Sequence, residues 1–384
     1  MKIAILGTRG IPNNYGGPET NAEMMSPIFL RLGHEVTVYS PDEHPYQESD
    51  WQGVKIRHIY NQESRFGIWG TLLYDYLCLR DALRSDFDVI LELGYVPCAI
   101  FYPLLIARAD RRRPRLLTNM DGLEWKRSKW NRVLQRFAEL TEKLGARYSD
   151  AMISDNEAIR DYLLDKYQKD SYFIPYGAVP VDHLDPAIPQ QYGVEAGGYN
   201  MLIARLEPEN NIETILDGHV LAGARAPFLV VGKTSTRHGQ YLVQKYASRP
   251  DIRFLGGIYD YAALSALRGQ ASLYFHGHSV GGTNPSLVEA MASNAFIAAH
   301  DNPFNRSVLE DRALYFQTPE DVSRLLATGH EALRQRFIEG NRAKTEHLYN
   351  WEFITREHVR AFEEILGNAP DYRPDQTQSP RPQP

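Results

Sequence analysis

"YNMLIARLEPENN" (199–211) decides how the chain divides. An apolar run up to Ala204 closes on Arg205 and breaks into glutamate, proline and asparagine, as a buried strand does when it enters a loop. It is a second beginning. From residue 2 onward, "KIAIL" (2–6), "EVTVYS" (35–40), "VKIRHI" (54–59), "DVILEL" (88–93), "RLLTNM" (115–120) and "AMISD" (151–155) read as strands. Helical patterns at 17–34, 71–84 and 129–148 lie between them. That series runs out after "YFIPYGAVP" (172–180) and a polar stretch, and 199–205 starts another. The new series continues with "FLVVG" (228–232), "RFLGGI" (253–258) and "SLYFHG" (272–277), separated by helices at 211–223 and 260–268. The expected fold class is α/β, with two Rossmann-like doubly wound domains facing across a cleft. The boundaries read as 1–180, a linker at 181–198, 199–350, and a closing amphipathic helix at 351–366 that packs back on the first domain. A Pro-rich tail at 367–384 reads as disordered.

Composition narrows the function. A chain of 384 residues has room for two ordinary domains. A net charge of −6 excludes a dedicated nucleic-acid binder, whose footprint is basic. Two cysteines, Cys78 and Cys98, make no disulfide framework. The most apolar run, "YVPCAIFYPLLIA" (95–107), is too short to span a bilayer, and "MKIAILGTRG" opens with a strand where a signal peptide would stand. A cytoplasmic protein is expected.

Ligands of doubly wound sheets bind beyond the carboxyl ends of the strands, so the loops there hold the candidates. "GTRGIPNNYGGPET" (7–20) lacks both the dinucleotide spacing and a Walker lysine, but a glycine loop opening a helix can present N–H groups to an anion. Arg205 and Lys233 each end a strand of the second half. "HGHSVGGTNPSLVEAM" (276–291) ends a third, with Asn284 as cap and Pro285 in the first helical turn. Two cations and a helix N-terminus on one edge suit a diphosphate. His276 and His278 would point the same way from a strand end, but with no third ligand nearby no metal is expected. Two basic stretches, "RADRRRPR" (108–115) and "DGLEWKRSKWNRVLQRF" (121–137), are solvated faces or are attracted to an anionic membrane surface.

With these residues assembled, the two-domain layout, "ARLEPEN" and "GGTNPSLVEAMA" resemble the retaining nucleotide-sugar glycosyltransferases of family four, of GT-B fold. "GTRGIPNNYGGPET" and "NMDGLEWKRSKW" are similar to a branch that includes bacterial rhamnosyltransferases of capsule and exopolysaccharide assembly. The resemblance implies transfer of a hexose, best L-rhamnose, from dTDP-rhamnose or a UDP-sugar to a lipid-linked saccharide. It further implies retention, no cofactor and no metal, at a peripheral position on the inner face of the membrane. It assigns Arg205, Glu289 and Asp121 to catalysis: Arg205 at the diphosphate, Glu289 at the ribose, Asp121 facing the reacting sugar. Lys233, Arg237, Gly256, Ile258, Tyr259, His278, Gly281, Gly282, Thr283 and Asn284 would surround the donor, with the loop before Glu289 gripping the pyrophosphate by its N–H groups. Arg9, Gly16, Gly17 and Glu19 would form the phosphate or acceptor loop. Two positions depart from the family pattern: Gly281 stands for the first glutamate of a pair, and Asn210 for a lysine. A silent sugar-nucleotide-binding partner of another transferase, or an epimerase or phosphorylase of the same fold, is the alternative reading.

Overall fold

The computed structural model describes residues 1–14, 16–108, 112–120, 122–126 and 131–367. Two sheets organise it. The first has eight strands in the order β3-β4-β2-β1-β5-β6-β7-β8. These are β1 (Lys2–Leu6), β2 (Glu35–Pro41), β3 (Asp50–Trp51), β4 (Val54–Ile59), β5 (Val89–Glu92), β6 (Arg115–Asn119), β7 (Ala151–Ser154) and β8 (Tyr172–Phe173). All neighbours are parallel except β3, which turns back against β4. The second sheet is parallel throughout, in the order β11-β10-β9-β12-β13-β14. Its strands are β9 (Asn200–Ile203), β10 (Phe228–Val231), β11 (Ile252–Gly256), β12 (Leu273–His276), β13 (Ile297–His300) and β14 (Leu314–Phe316).

In each sheet the strand order reverses once, between β1 and β5 and between β9 and β12. Such a reversal parts the flanking loops and leaves a crevice at the strand ends. Both crevices face one cleft of about 1070 Å³. Gly7 fixes one wall. It has φ +75°, and a methyl group there would lie 2.4 Å from the Glu92 carboxylate and 2.8 Å from the Gly94 amide, so the chain leaves β1 pressed against the end of β5.

Each sheet has its own core, and the chain crosses between them twice. The last helix, Trp351–Leu366, returns to the first sheet, where Trp351, Ile354, Ala361 and Phe362 share a cluster with Met25 and Phe29. Arg31 binds Glu352 at 3.0 Å and the Tyr172 hydroxyl donates to Glu364 at 2.8 Å along the same seam. The tail at 368–384 lies outside the described residues. Among those described, no helix is long and apolar enough to cross a membrane.

Several elements differ from their sequence reading. The strand expected over 199–205 stops at Ile203, so Arg205 stands in the loop beyond it, and β10 likewise stops two residues before Lys233. The apolar run 95–107 forms two short turns, Cys98–Phe101 and Tyr102–Leu105, because Pro103 limits the second to a fresh start. Strands β3, β8, β13 and β14 and the helices Pro319–Ala327 and Glu331–His347 have no counterpart in the sequence reading.

Candidate active site

The second sheet supplies the floor of the cleft. β9 and β10 pair in parallel register, and Gly232 packs so closely on the Ala204 carbonyl (2.1 Å from a would-be Cβ) that the loops bearing Arg205 and Lys233 leave side by side. Both cations line the cleft, and neither has a carboxylate partner among the described residues. Lys233 rests over the ring of Tyr259, 5.7 Å from its centre. Asn210 does not replace the missing lysine's charge. Its amide donates to the Arg205 carbonyl at 2.7 Å and anchors the loop instead.

From β12 the chain is laced to the same loop. The Asn211 amide donates to the Gly277 carbonyl at 2.8 Å, and the Ser279 hydroxyl to the Glu209 carbonyl at 2.8 Å. His276 and His278 stack with ring centres 4.4 Å apart. Burial holds the His276 imidazole well below its ordinary pKa, so this ring is neutral and can lie against its neighbour. Among the described residues no group of three or more metal-ligating side chains occurs.

The glycine loop then differs from its expected role. Gly282 makes room for a protein carboxylate: a methyl group there would stand 1.8 Å from Asp155 Oδ1. The Thr283 amide donates to Asp155 Oδ2 at 3.0 Å and its hydroxyl bonds the Asp155 carbonyl. That N–H is therefore committed across the cleft to the end of β7 and does not grip a phosphate. Gly281, at φ +128° with open space around it, is the residue that bares its backbone to the cleft. This conformation also accounts for the missing glutamate, since side chains rarely adopt it. Asn284 caps the helix Pro285–Ala292 through the Ser286 amide, 3.0 Å.

One turn into that helix, Glu289 lines the cleft and is held from behind by Arg268 (Nη2 to Oε2, 2.6 Å). Arg268 is among the largest fully buried side chains of the protein, on the helix Tyr261–Gly269. Its buried charge is balanced by Glu289, which fixes the carboxylate and leaves its other oxygen for a ligand.

Across the cleft stands the first sheet. Arg9, Gly16, Gly17 and Glu19 all line it. Gly17 begins the helix Gly17–Arg31, its carbonyl takes the Tyr176 hydroxyl at 2.7 Å, and a methyl group on it would touch Pro285 at 3.9 Å. Two helix N-termini therefore face one space. Glu19 lines the cleft and also holds its own loop through one carboxylate oxygen. Its buried carboxylate accepts from the Arg9 amide (2.6 Å) and the Thr8 hydroxyl (3.3 Å), and so shapes the loop. Two further assignments change. Arg237 is exposed as the first residue of its helix and does not line the cleft; Thr236 caps that helix by accepting from the Gly239 amide at 3.0 Å and ties it to the site by donating to the Leu206 carbonyl at 2.8 Å. Gly256 ends β11 outside the cleft, and Gly257, Ile258 and Tyr259 line it in its place. Asp121 lies outside the described residues.

Sequence reasoning missed Arg268, Asp155, Asp75 and His358, all of which line the cleft. Asp75 is buried on the helix Ile68–Ala82, and burial raises its carboxyl pKa to about 7, opposed by Arg9 and assisted by Glu63. The folded protein thus keeps a proton that the unfolded chain releases near pH 4. This contribution to stability is full below that pH and fades as pH rises through about 7. The expected result is that Asp75→Asn melts increasingly higher than wild type as pH increases from about 4 to 8, the difference growing by up to ~1.4 kcal/mol per unit. Parallel melting curves over that range would show that Asp75 is ionised throughout.

Comparison with known structures decides the architecture. Sucrose-phosphate synthase from Thermosynechococcus elongatus superposes with a TM-score of 0.77 at 16% identity, covering 96% of this chain and 100% of that one. Anabaena Alr3699/HepE in complex with UDP-glucose gives 0.71 at 15% identity, covering 95% and 100%. The fold is GT-B. A third GT-B chain, the UDP-forming α,α-trehalose-phosphate synthase from Burkholderia vietnamiensis, gives 0.68 at 15% identity, covering 95% and 100%. Residues 1–179, the first GT-B half, match the family described as "Domain of unknown function (DUF1972)". Among curated proteins none matches the sequence.

Proposed function

We propose that this GT-B chain is a glycosyltransferase that moves a hexose from a nucleoside-diphosphate sugar to an acceptor hydroxyl with retention. The donor of first choice is dTDP-L-rhamnose, and the acceptor is a lipid-linked saccharide in polysaccharide biosynthesis. The observation that carries the reading is the pairing of Arg205 and Lys233, without carboxylate partners among the described residues, beside the Pro285–Ala292 helix in one cleft. A diphosphate fits there, and these cations supply its counter-charge without a metal. As the bond from the anomeric carbon to the diphosphate breaks, negative charge grows on the departing oxygen, where fixed donors stabilise it. The acceptor oxygen bonds the same face of that carbon, and its proton passes to the departing oxygen. The free oxygen of Glu289 accepts from the ribose.

The HepE structures, in complex with UDP-glucose or with UDP, make a uridine donor the competitor to test. Thymidine donors carry a deoxyribose and offer Glu289 one hydroxyl, whereas uridine donors offer two. Single-turnover release of nucleotide from dTDP-rhamnose and from UDP-glucose, with a chelator present, is the measurement. Release of dTDP with transfer to acceptor is expected. Transfer from UDP-glucose alone would remove rhamnose, and binding without release from either donor would favour a silent sugar-nucleotide-binding partner.

A further inference from the structure

A second cavity, of about 500 Å³, opens far from the cleft. It is built from the turns that enter β5 and β6, at the amino ends of strands whose carboxyl ends face the cleft. Arg80, Arg84, Arg108, Arg112 and Arg113 line it, with Asp86 the acidic residue among the lining. Asp86 is already bound by Lys2 at 2.6 Å. Arg113 is held by Asp150 at 2.6 Å, but that carboxylate also serves Arg115 at 3.4 Å and the Leu116 amide at 2.7 Å. Arg80, Arg84 and Arg108 have no carboxylate partner among the described residues. Five arginines thus line one hollow on a chain whose net charge is −6. Guanidinium does not deprotonate in proteins, so the charges of Arg80, Arg84 and Arg108 persist at every physiological pH.

An anion with several oxygens supplies the counter-charge that Arg80, Arg84 and Arg108 lack among the described residues, and the planar arginine fork matches phosphate two bonds at a time. Leu83, Leu104 and Leu105 line the same cavity, so the charge borders an apolar edge. Leu104 is exposed, and the helix Ile68–Ala82 carries Leu73 and Trp69, also exposed (Trp69 by 73%), toward the cleft end of the domain. We propose that this arginine cavity is a second binding site, separate from the cleft, for a phosphate group. Two sources offer that chemistry: a free phosphate compound and the headgroup of an anionic lipid, whose chains would meet the leucine edge.

The inference does not depend on the transferase reading, and its test leaves the cleft intact. Full-length protein would be titrated with inorganic diphosphate by calorimetry, and separately with vesicles of phosphatidylglycerol in phosphatidylcholine by co-sedimentation. Arg80→Gln/Arg84→Gln/Arg108→Gln is compared with wild type at equal melting temperature. Vesicle binding weakened on the order of a hundredfold in the triple variant is expected if the source is lipid, at about 1 kcal/mol for each cation near the surface. A similar loss confined to diphosphate identifies a free phosphate ligand. Nucleotide release with a soluble acceptor should be the same in both proteins. Wild type that binds neither probe, or a triple variant that binds both as well as wild type, would overturn the site.

Discussion

Arg205→Ala should lower turnover by about two to three orders of magnitude, the cost of removing one preorganised donor to a developing charge, roughly 2.7–4 kcal/mol. The melting temperature should hardly move. The Arg205 side chain is exposed and its loop is anchored from the main chain: Asn210 holds the carbonyl at 2.7 Å and the Glu207 amide donates to it at 2.8 Å. Removing the guanidinium therefore subtracts charge without loosening the scaffold. Arg205→Lys tests whether charge alone suffices. A lysine cannot offer two parallel N–H groups to a diphosphate, so it should remain well below wild type. Lys233 is the complication, since it leaves the neighbouring strand and could take over part of the load. Arg205→Ala/Lys233→Ala should then fall further than either change alone. A folded Arg205→Ala that keeps more than about a tenth of its turnover, a deficit under ~1.4 kcal/mol, would place the diphosphate elsewhere.

How much of this could be read from residues alone follows from what each feature depends on. Lys2–Leu6 was legible because a buried parallel strand is a short apolar run between breakers, and Val54–Ile59 because its apolar residues alternate with Lys55 and Arg57. Two-residue strands such as β3 and β8 carry too few positions for any pattern. Arg205, Lys233 and the Asn284 cap were legible because ligand loops follow strand ends. Asp155 obeys the same rule at the end of β7, yet its partner is Thr283, 128 residues away, and no local signal announces that bond. Gly282 was placed in the loop around the donor pyrophosphate, but what fills the space beside it is Asp155, and spacing cannot tell a phosphate from a carboxylate. Glu19 looked like a site residue because it stands in the loop. Its contacts with the Arg9 amide and Thr8 make it part of the loop's frame as well. Arg268 was the least legible: "AALSALRGQ" reads as an ordinary helix end, and only the tertiary structure shows the arginine buried behind Glu289.

That last pair gives the sharpest test of how the site works. Glu289→Gln should damage both stability and donor binding. The amide keeps an acceptor oxygen for the ribose but no longer balances Arg268, which remains buried and charged. Breaking a buried pair by removing one partner costs about 3–5 kcal/mol, and the melting temperature should drop accordingly. Stability and function can then be separated through the partner. Arg268→Met removes the buried charge and fills comparable apolar volume, so Arg268→Met/Glu289→Gln should recover most of the stability lost by Glu289→Gln. Turnover should not recover with it. The double variant still lacks a carboxylate at the ribose, where a hydrogen bond to a charged group contributes about 1.5–3 kcal/mol against about 1 for a neutral one. Arg268→Met alone should keep the carboxylate but release it from its fixed position, raising KM for the donor while the acceptor KM stays put. If the double variant regained wild-type turnover along with its stability, Glu289 would be a counter-ion for Arg268 and nothing more, and the ribose would have to be held by another group in the cleft.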